Sequence, residues 1–102
     1  MIALLESKRQ EIAAACQRHR VRRLEVFGSA AAGPFDPHTS DLDFLVEFYP
    51  LDRGQRAEAY FGLLEELQHL LGRPVDLVMA RAVQNPYFLQ ALEKTREVLY
   101  AA

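Results

Sequence analysis

Asp41 and Asp43 stand two residues apart in the run Ser40-Asp41-Leu42-Asp43-Phe44-Leu45-Val46. Side chains of a strand alternate between faces, so a strand here puts both carboxylates on one side, roughly 7 Å apart along the chain. Two divalent cations in a phosphoryl-transfer site sit about 3.5–4 Å apart, so carboxylates at this spacing can bracket a metal pair while triphosphate oxygens complete the coordination. The chemistry asks for Mg²⁺. Two like charges on an otherwise apolar strand raise each other's pKa and weaken the fold unless a cation or a basic group offsets them. That cost argues for a functional pair.

Two other stretches complement it. Asp76, in Val75-Asp76-Leu77-Val78, is a third carboxylate in a run otherwise suited to burial. A third aspartate that touches the second metal can accept the proton of an attacking hydroxyl or orient it, which points to group transfer. Upstream, Val26-Phe27 runs into Gly28-Ser29. Glycine lets a backbone approach a phosphate closely, and a serine hydroxyl with N–H groups at a helix start can donate to it.

The elements that must hold these residues are legible from periodicity. Leu5, Ile12 and Cys16, with Ala15 beside them, fall at helical spacing and predict a first helix over 3–19 lying on a sheet. Leu24-Glu25-Val26-Phe27 reads as a short strand ended by Gly28-Ser29. Pro34, Asp36-Pro37 and His38-Thr39-Ser40 supply loop chemistry before a strand over 41–48. On that strand Leu42, Phe44, Val46 and Phe48 form an apolar face, and Asp41, Asp43, Leu45 and Glu47 an open one. A helix over 56–71 stops at Gly72 and Pro74. Val75 to Val78 makes a third strand, Pro86 opens a helix to about Lys94, and Glu97-Val98-Leu99-Tyr100 forms a last strand, with a continued helix as the alternative. The expected architecture is α/β, also describable as α+β: a small mixed β-sheet of three to four strands with helices packed on it.

At 102 residues, half of them hydrophobic, the chain suits one domain over 1–102 with a modest core. Twelve Lys and Arg against fourteen Asp and Glu give a formal charge of -2, which does not favour nucleic acid as a partner through bulk electrostatics. Charges arrive early in Met1-Ile2-Ala3-Leu4-Leu5-Glu6-Ser7-Lys8-Arg9, and no apolar run approaches a membrane span, so a soluble, cytoplasmic protein is expected. The single cysteine, Cys16, fits a reducing compartment and reads as a core thiol. The basic run from Arg18 to Arg23 reads as a solvated helix end, His69 as surface, His38 as a loop residue without a role, and Tyr60-Phe61 and Tyr87-Phe88 as largely core.

Phe27-Gly28-Ser29, the stretch from Ser40 to Phe48, and Pro74-Val75-Asp76-Leu77-Val78 together resemble, in order, the blocks of the DNA polymerase beta-like nucleotidyltransferase superfamily. The short length resembles its minimal nucleotidyltransferase branch. A lone Asp-x-Asp is weak evidence, but the ordered set on suitable strands is fairly specific. The resemblance implies a nucleotidyltransferase-like core in which Asp41 and Asp43 bind Mg²⁺, Asp76 completes a catalytic, metal-binding triad, and Gly28 and Ser29 hold the triphosphate of an NTP. It further implies transfer of a nucleoside monophosphate, AMP from ATP, to a protein hydroxyl. In that branch the partner is typically a HEPN-domain toxin for which the nucleotidyltransferase is the antitoxin, and a homo-oligomer is also compatible.

The family pattern often carries an arginine between the serine and the next glycine, where this chain has Ala30-Ala31-Ala32 before Gly33. The loop from Ala30 to Ser40 is one residue longer than the commonest family spacing. Arg22, Arg23, His38 or an arginine of a partner are the candidates to supply the missing charge. The alternative class is therefore a weakly active or inactive binding module that neutralises its partner by occupying a surface. Transfer to a small molecule is disfavoured, since no second domain is present to shape its pocket.

Overall fold

The computed structural model describes residues 1–32, 36 and 41–102. Strands β1 (Val21–Phe27), β2 (Leu42–Phe48), β3 (Val75–Met79) and β4 (Glu97–Ala101) form a sheet in the order β3-β2-β1-β4. β1 runs antiparallel to both β2 and β4, and β2 runs parallel to β3, so the sheet is mixed as expected. The parallel pair requires a crossover, which is supplied by the helix α4 (Arg53–Leu71) between β2 and β3.

One sheet face carries the main core. Leu24, Val26, Leu42, Phe44, Val46 and Leu77 pack there against Leu63, Leu67 and Leu71 of α4, and against Leu5 of α1 (Ala3–Ser7) and Ile12, Ala15 and Cys16 of α2 (Arg9–Arg18). The predicted first helix is thus two helices. At the junction Ser7 donates its hydroxyl to Leu4 O (2.9 Å), a local bond that competes with the helical ladder, and Lys8 leaves helical geometry at φ -105, ψ 11. The apolar spacing survives the break, so both pieces still bury one stripe. Burial pushes the Cys16 thiol up to about 12, reinforced by the nearby Glu66 charge, which makes it an inert core residue.

The helix α4 begins three residues before the expected start. The Asp52 side chain accepts from Gln55 N (2.7 Å) while Gln55 Oε1 accepts from Asp52 N (3.2 Å), a reciprocal cap. It ends at Gly72 in the left-handed region, φ 67, as the sequence predicts. The Tyr60 hydroxyl donates to Leu77 O (2.6 Å), tying α4 to β3, but its neighbour Phe61 is 63 % exposed. Arg18 and His19 stand at the C-terminal end of α2 with the Arg18 side chain exposed, as expected of a solvated helix end, and both engage Glu66 of α4, His19 at 2.8 Å.

The opposite sheet face is covered by α5 (Pro86–Thr95), whose start is capped by Asn85 Oδ1 accepting from Tyr87 N and Phe88 N. Leu92 packs with Phe27 and Leu45 beside Val78, Ala80 and Val83. Leu45 is therefore buried rather than part of an open face. Phe88 meets Phe27 edge-on at 5.7 Å between ring centroids, one helical turn from Leu92. Tyr87 is one residue off that stripe and 82 % exposed, so the expectation of a core aromatic fails there as it does for Phe61.

Glu25 is the buried charge of this face, 2 % exposed. Arg96, at the junction of α5 and β4, reaches it with Nε on Oε2 (2.5 Å) and Nη2 on Oε1 (3.0 Å), and Arg23 Nε meets Oε1 at 2.5 Å. The forked Arg96 contact, opposed by burial and helped by Arg23, holds the Glu25 carboxyl below its usual value. Because the native value is the lower one, the stabilisation is complete above the unfolded-state value of about 4.3 and drains away as pH falls through the native value. The urea midpoint difference between the parent and Glu25→Gln should accordingly be largest near neutrality and shrink on acidification; a pH-independent difference would contradict the ionic origin. Asp52→Ala should lower unfolding free energy by about 1 kcal/mol in the same assay, the typical value of an N-cap.

Candidate functional site

The sheet register brings two of the three predicted aspartates side by side. Asp43 is the second residue of β2, and its parallel partner is Asp76 of β3. Residues so paired share a face, with their strands about 4.8 Å apart. Asp41 stands just before β2, exposed, and its charge reaches Asp43. Burial, then Asp76, then Asp41 push the Asp43 carboxyl up to about 6.

Such a set of oxygen acceptors, with like charges raising the Asp43 carboxyl, suits a hard cation such as Mg²⁺. Among the described residues, however, no three His, Cys, Asp or Glu side chains close around one point tightly enough to hold an ion unaided. The carboxylates share a face and a field.

The turn after β1 completes the site. Phe27 is the antiparallel partner of Asp43, so the residue that follows lies over the carboxylate. Gly28 has φ +72, and a Cβ built there would stand 2.8 Å from Asp43 Oδ2. Conformation and contact both demand glycine at this position. Its N–H donates to Thr95 Oγ1 (3.0 Å) at the end of α5, while Ser29 opens the single turn α3 (Ser29–Ala32), partly exposed and with no hydrogen bond from its hydroxyl to any described residue. Ala30 and Ala31 turn inward to the main core.

Two proposed substitutes for the missing arginine are ruled out. Arg22 and Arg23 lie near the start of β1, about 20 and 16 Å of strand from Gly28, and engage Glu47 (3.6 Å) and Glu25. His38 lies outside the described residues. A cleft of about 680 Å³ lined by Tyr49, Arg56 and Arg81 is at the other end of β2, away from the aspartates. Sequence reading missed Thr95 and the Glu25–Arg96 pair. A charge in the apolar run Leu24-Glu25-Val26 was the available signal for the second, and nothing in the sequence marks the first.

Residues 9–99 match the family described as a nucleotidyltransferase domain. A protein of Methanocaldococcus jannaschii provisionally named a protein adenylyltransferase is 36 % identical over 78 residues, 76 % of either chain. A solved structure provisionally described as a minimal nucleotidyltransferase superposes with a TM-score of 0.74 at 32 % identity, covering 91 % of this chain and 90 % of that one. A chain from the complex of a tri-AMPylated Shewanella oneidensis HEPN toxin with its MNT antitoxin shares the fold, with a TM-score of 0.65 at 21 % identity over 96 % of this chain and 73 % of that one. No helix among the described residues is long and apolar enough to cross a membrane.

The raised native value of Asp43 has a definite sign. Its contribution to folding is complete below the unfolded-state value of about 3.9 and is lost as pH rises through about 6. Well above pH 6 in EDTA, Asp43→Asn should therefore melt at a higher temperature than the parent, and Mg²⁺ should raise the parent's melting temperature while leaving the variant's unchanged. Equal melting in EDTA would contradict the repulsion.

Proposed function

The chain belongs to the nucleotidyltransferase domain family, and from that premise we propose that residues 1–102 act as one domain transferring AMP from ATP, with Mg²⁺, to a protein hydroxyl. The observation that carries this reading is the pairing of Asp43 with Asp76 beneath the Gly28-Ser29 turn, with Asp41 adding charge at the same place. Asp41, Asp43 and Asp76 would hold the ions, and the nucleotide's phosphates would supply the oxygens the protein lacks. The metal would neutralise charge developing on the phosphates and activate the attacking hydroxyl. Asp76, the more exposed of the strand pair, would orient or deprotonate that hydroxyl, and Ser29 would donate to the triphosphate.

The acceptor would come with a partner. A HEPN-type toxin fits: the neighbour in the Shewanella complex is an antitoxin whose toxin carries AMP, and the M. jannaschii relative is named for protein adenylylation. The chain would then be an antitoxin that modifies its toxin. An inert Cys16 thiol is consistent with a cytoplasmic setting.

The buried, uncharged Ala30 and Ala31 favour one second reading, a module that neutralises its partner by binding with little or no transfer. Incubation with labelled ATP, Mg²⁺ and a HEPN protein encoded beside the gene separates the two. The parent should label the partner, and Asp43→Ala should lower the rate at least about a hundredfold, as loss of metal electrostatics predicts. Neutralisation that persists in both with no label in either would establish the binding module instead.

A further inference from the structure

Among the described residues, Thr95 is the side chain that accepts the leading amide of the Gly28-Ser29 turn. Its hydroxyl donates to Ala91 O (3.4 Å) within α5, which turns a lone pair toward the Gly28 N–H that it accepts at 3.0 Å. The placement of Thr95 is fixed from both sides. Phe88 and Leu92 seat α5 on Phe27, and Arg96, the next residue, is locked to the buried Glu25. On the other side of the turn, the Gly28 backbone abuts Asp43 Oδ2 so closely that a methyl group would collide with it. A shift of Gly28 therefore moves the wall against which Asp43 rests, and with it the start of α3 and the Ser29 hydroxyl.

We infer that Thr95 is a positioning residue: by accepting the Gly28 N–H it sets the phosphate-side turn against the Asp43 carboxylate. Gly28 then contributes shape, and its amide is spent on the protein; Ser29 supplies the contact to the nucleotide. This inference rests on the nucleotidyltransferase reading only for what the positioned turn binds. Its geometric content stands apart from that reading. A glycine at φ +72 has few intrinsic restraints, so a turn held by one side-chain hydrogen bond at a mobile residue is where loss of that bond should be felt locally.

The test compares Thr95→Val, which keeps shape and removes the hydroxyl, with Thr95→Ser, which keeps the hydroxyl, on the full chain. Calorimetric binding of a non-hydrolysable ATP analogue with Mg²⁺ should weaken about tenfold in Thr95→Val and stay within about threefold of the parent in Thr95→Ser, the size of one lost hydrogen bond. In metal-free and nucleotide-free protein, the Gly28, Ser29 and Asp43 amide resonances should shift, and Gly28 amide exchange accelerate, in Thr95→Val but not in Thr95→Ser. Equal binding by the parent and Thr95→Val, or equal weakening in both variants, would overturn the inference. If the parent itself binds no nucleotide, the functional reading fails, and the amide measurements decide positioning by themselves: unchanged resonances in Thr95→Val overturn it. Should valine unfold the chain, Thr95→Ala takes its place against the same serine control.

Discussion

The parallel register of β2 and β3 is the constraint on which the rest of the molecule depends. It sets Asp43 directly beside Asp76 at the end of two neighbouring strands, where burial and the charges of Asp76 and Asp41 push the Asp43 carboxyl up. Elsewhere the chain does compensate its charges: Glu25 receives two arginines, and Glu66 receives Arg18 and His19. The contrast is within one sheet face. One buried carboxylate has an arginine forked onto it and another stands against two like charges, and the second arrangement is the one that the proposed cation would relieve.

The two layers divide the labour. The main core beneath the sheet, made with α1, α2 and α4, packs on the apolar side of the strands that carry the site. The smaller layer above, made by α5, Phe27 and Leu45, lies on the same face as Asp43 and reaches the site through Phe88 and Thr95. Glu25 and Arg96 pin the end of that layer to the central strand. Stability and site geometry therefore meet at the junction of α5 and β4, where Thr95 serves the turn and Arg96 serves the sheet.

Much of this was legible in the sequence because strand alternation is local and strict. The separation of Leu42, Phe44 and Val46 from Asp43, the stop at Gly72, and the last strand at Glu97 all follow from nearest-neighbour chemistry. The three aspartates and the Gly28-Ser29 turn were also visible as residues, while their meeting at one place depends on the pairing of β2 with β3 and with β1. What was hidden depends on contacts across the chain. Leu45 looked open because nothing in β2 announces that α5 will cover it. Thr95 lies 67 residues from the amide it accepts, and its role exists only once the sheet has formed. Phe61 and Tyr87 looked like core residues because aromatic character says nothing about which side of a helix it occupies. The break at Lys8 and the early start of α4 come from side-chain-to-backbone bonds at Ser7, Asp52 and Gln55, whose signals are short and easily outweighed by periodicity.

The central claim is that a cation and a nucleotide's phosphates meet between Asp43, Asp76 and the Gly28-Ser29 turn. Paramagnetic broadening of amide resonances by Mn²⁺, added in place of Mg²⁺ together with a non-hydrolysable ATP analogue, tests it most directly. Broadening centred on Gly28, Ser29, Asp43 and Asp76, and absent from Tyr49, Arg56 and Arg81 at the far end of β2, is the predicted result. Broadening centred on that far cleft, or none at any residue while the analogue binds, would contradict it.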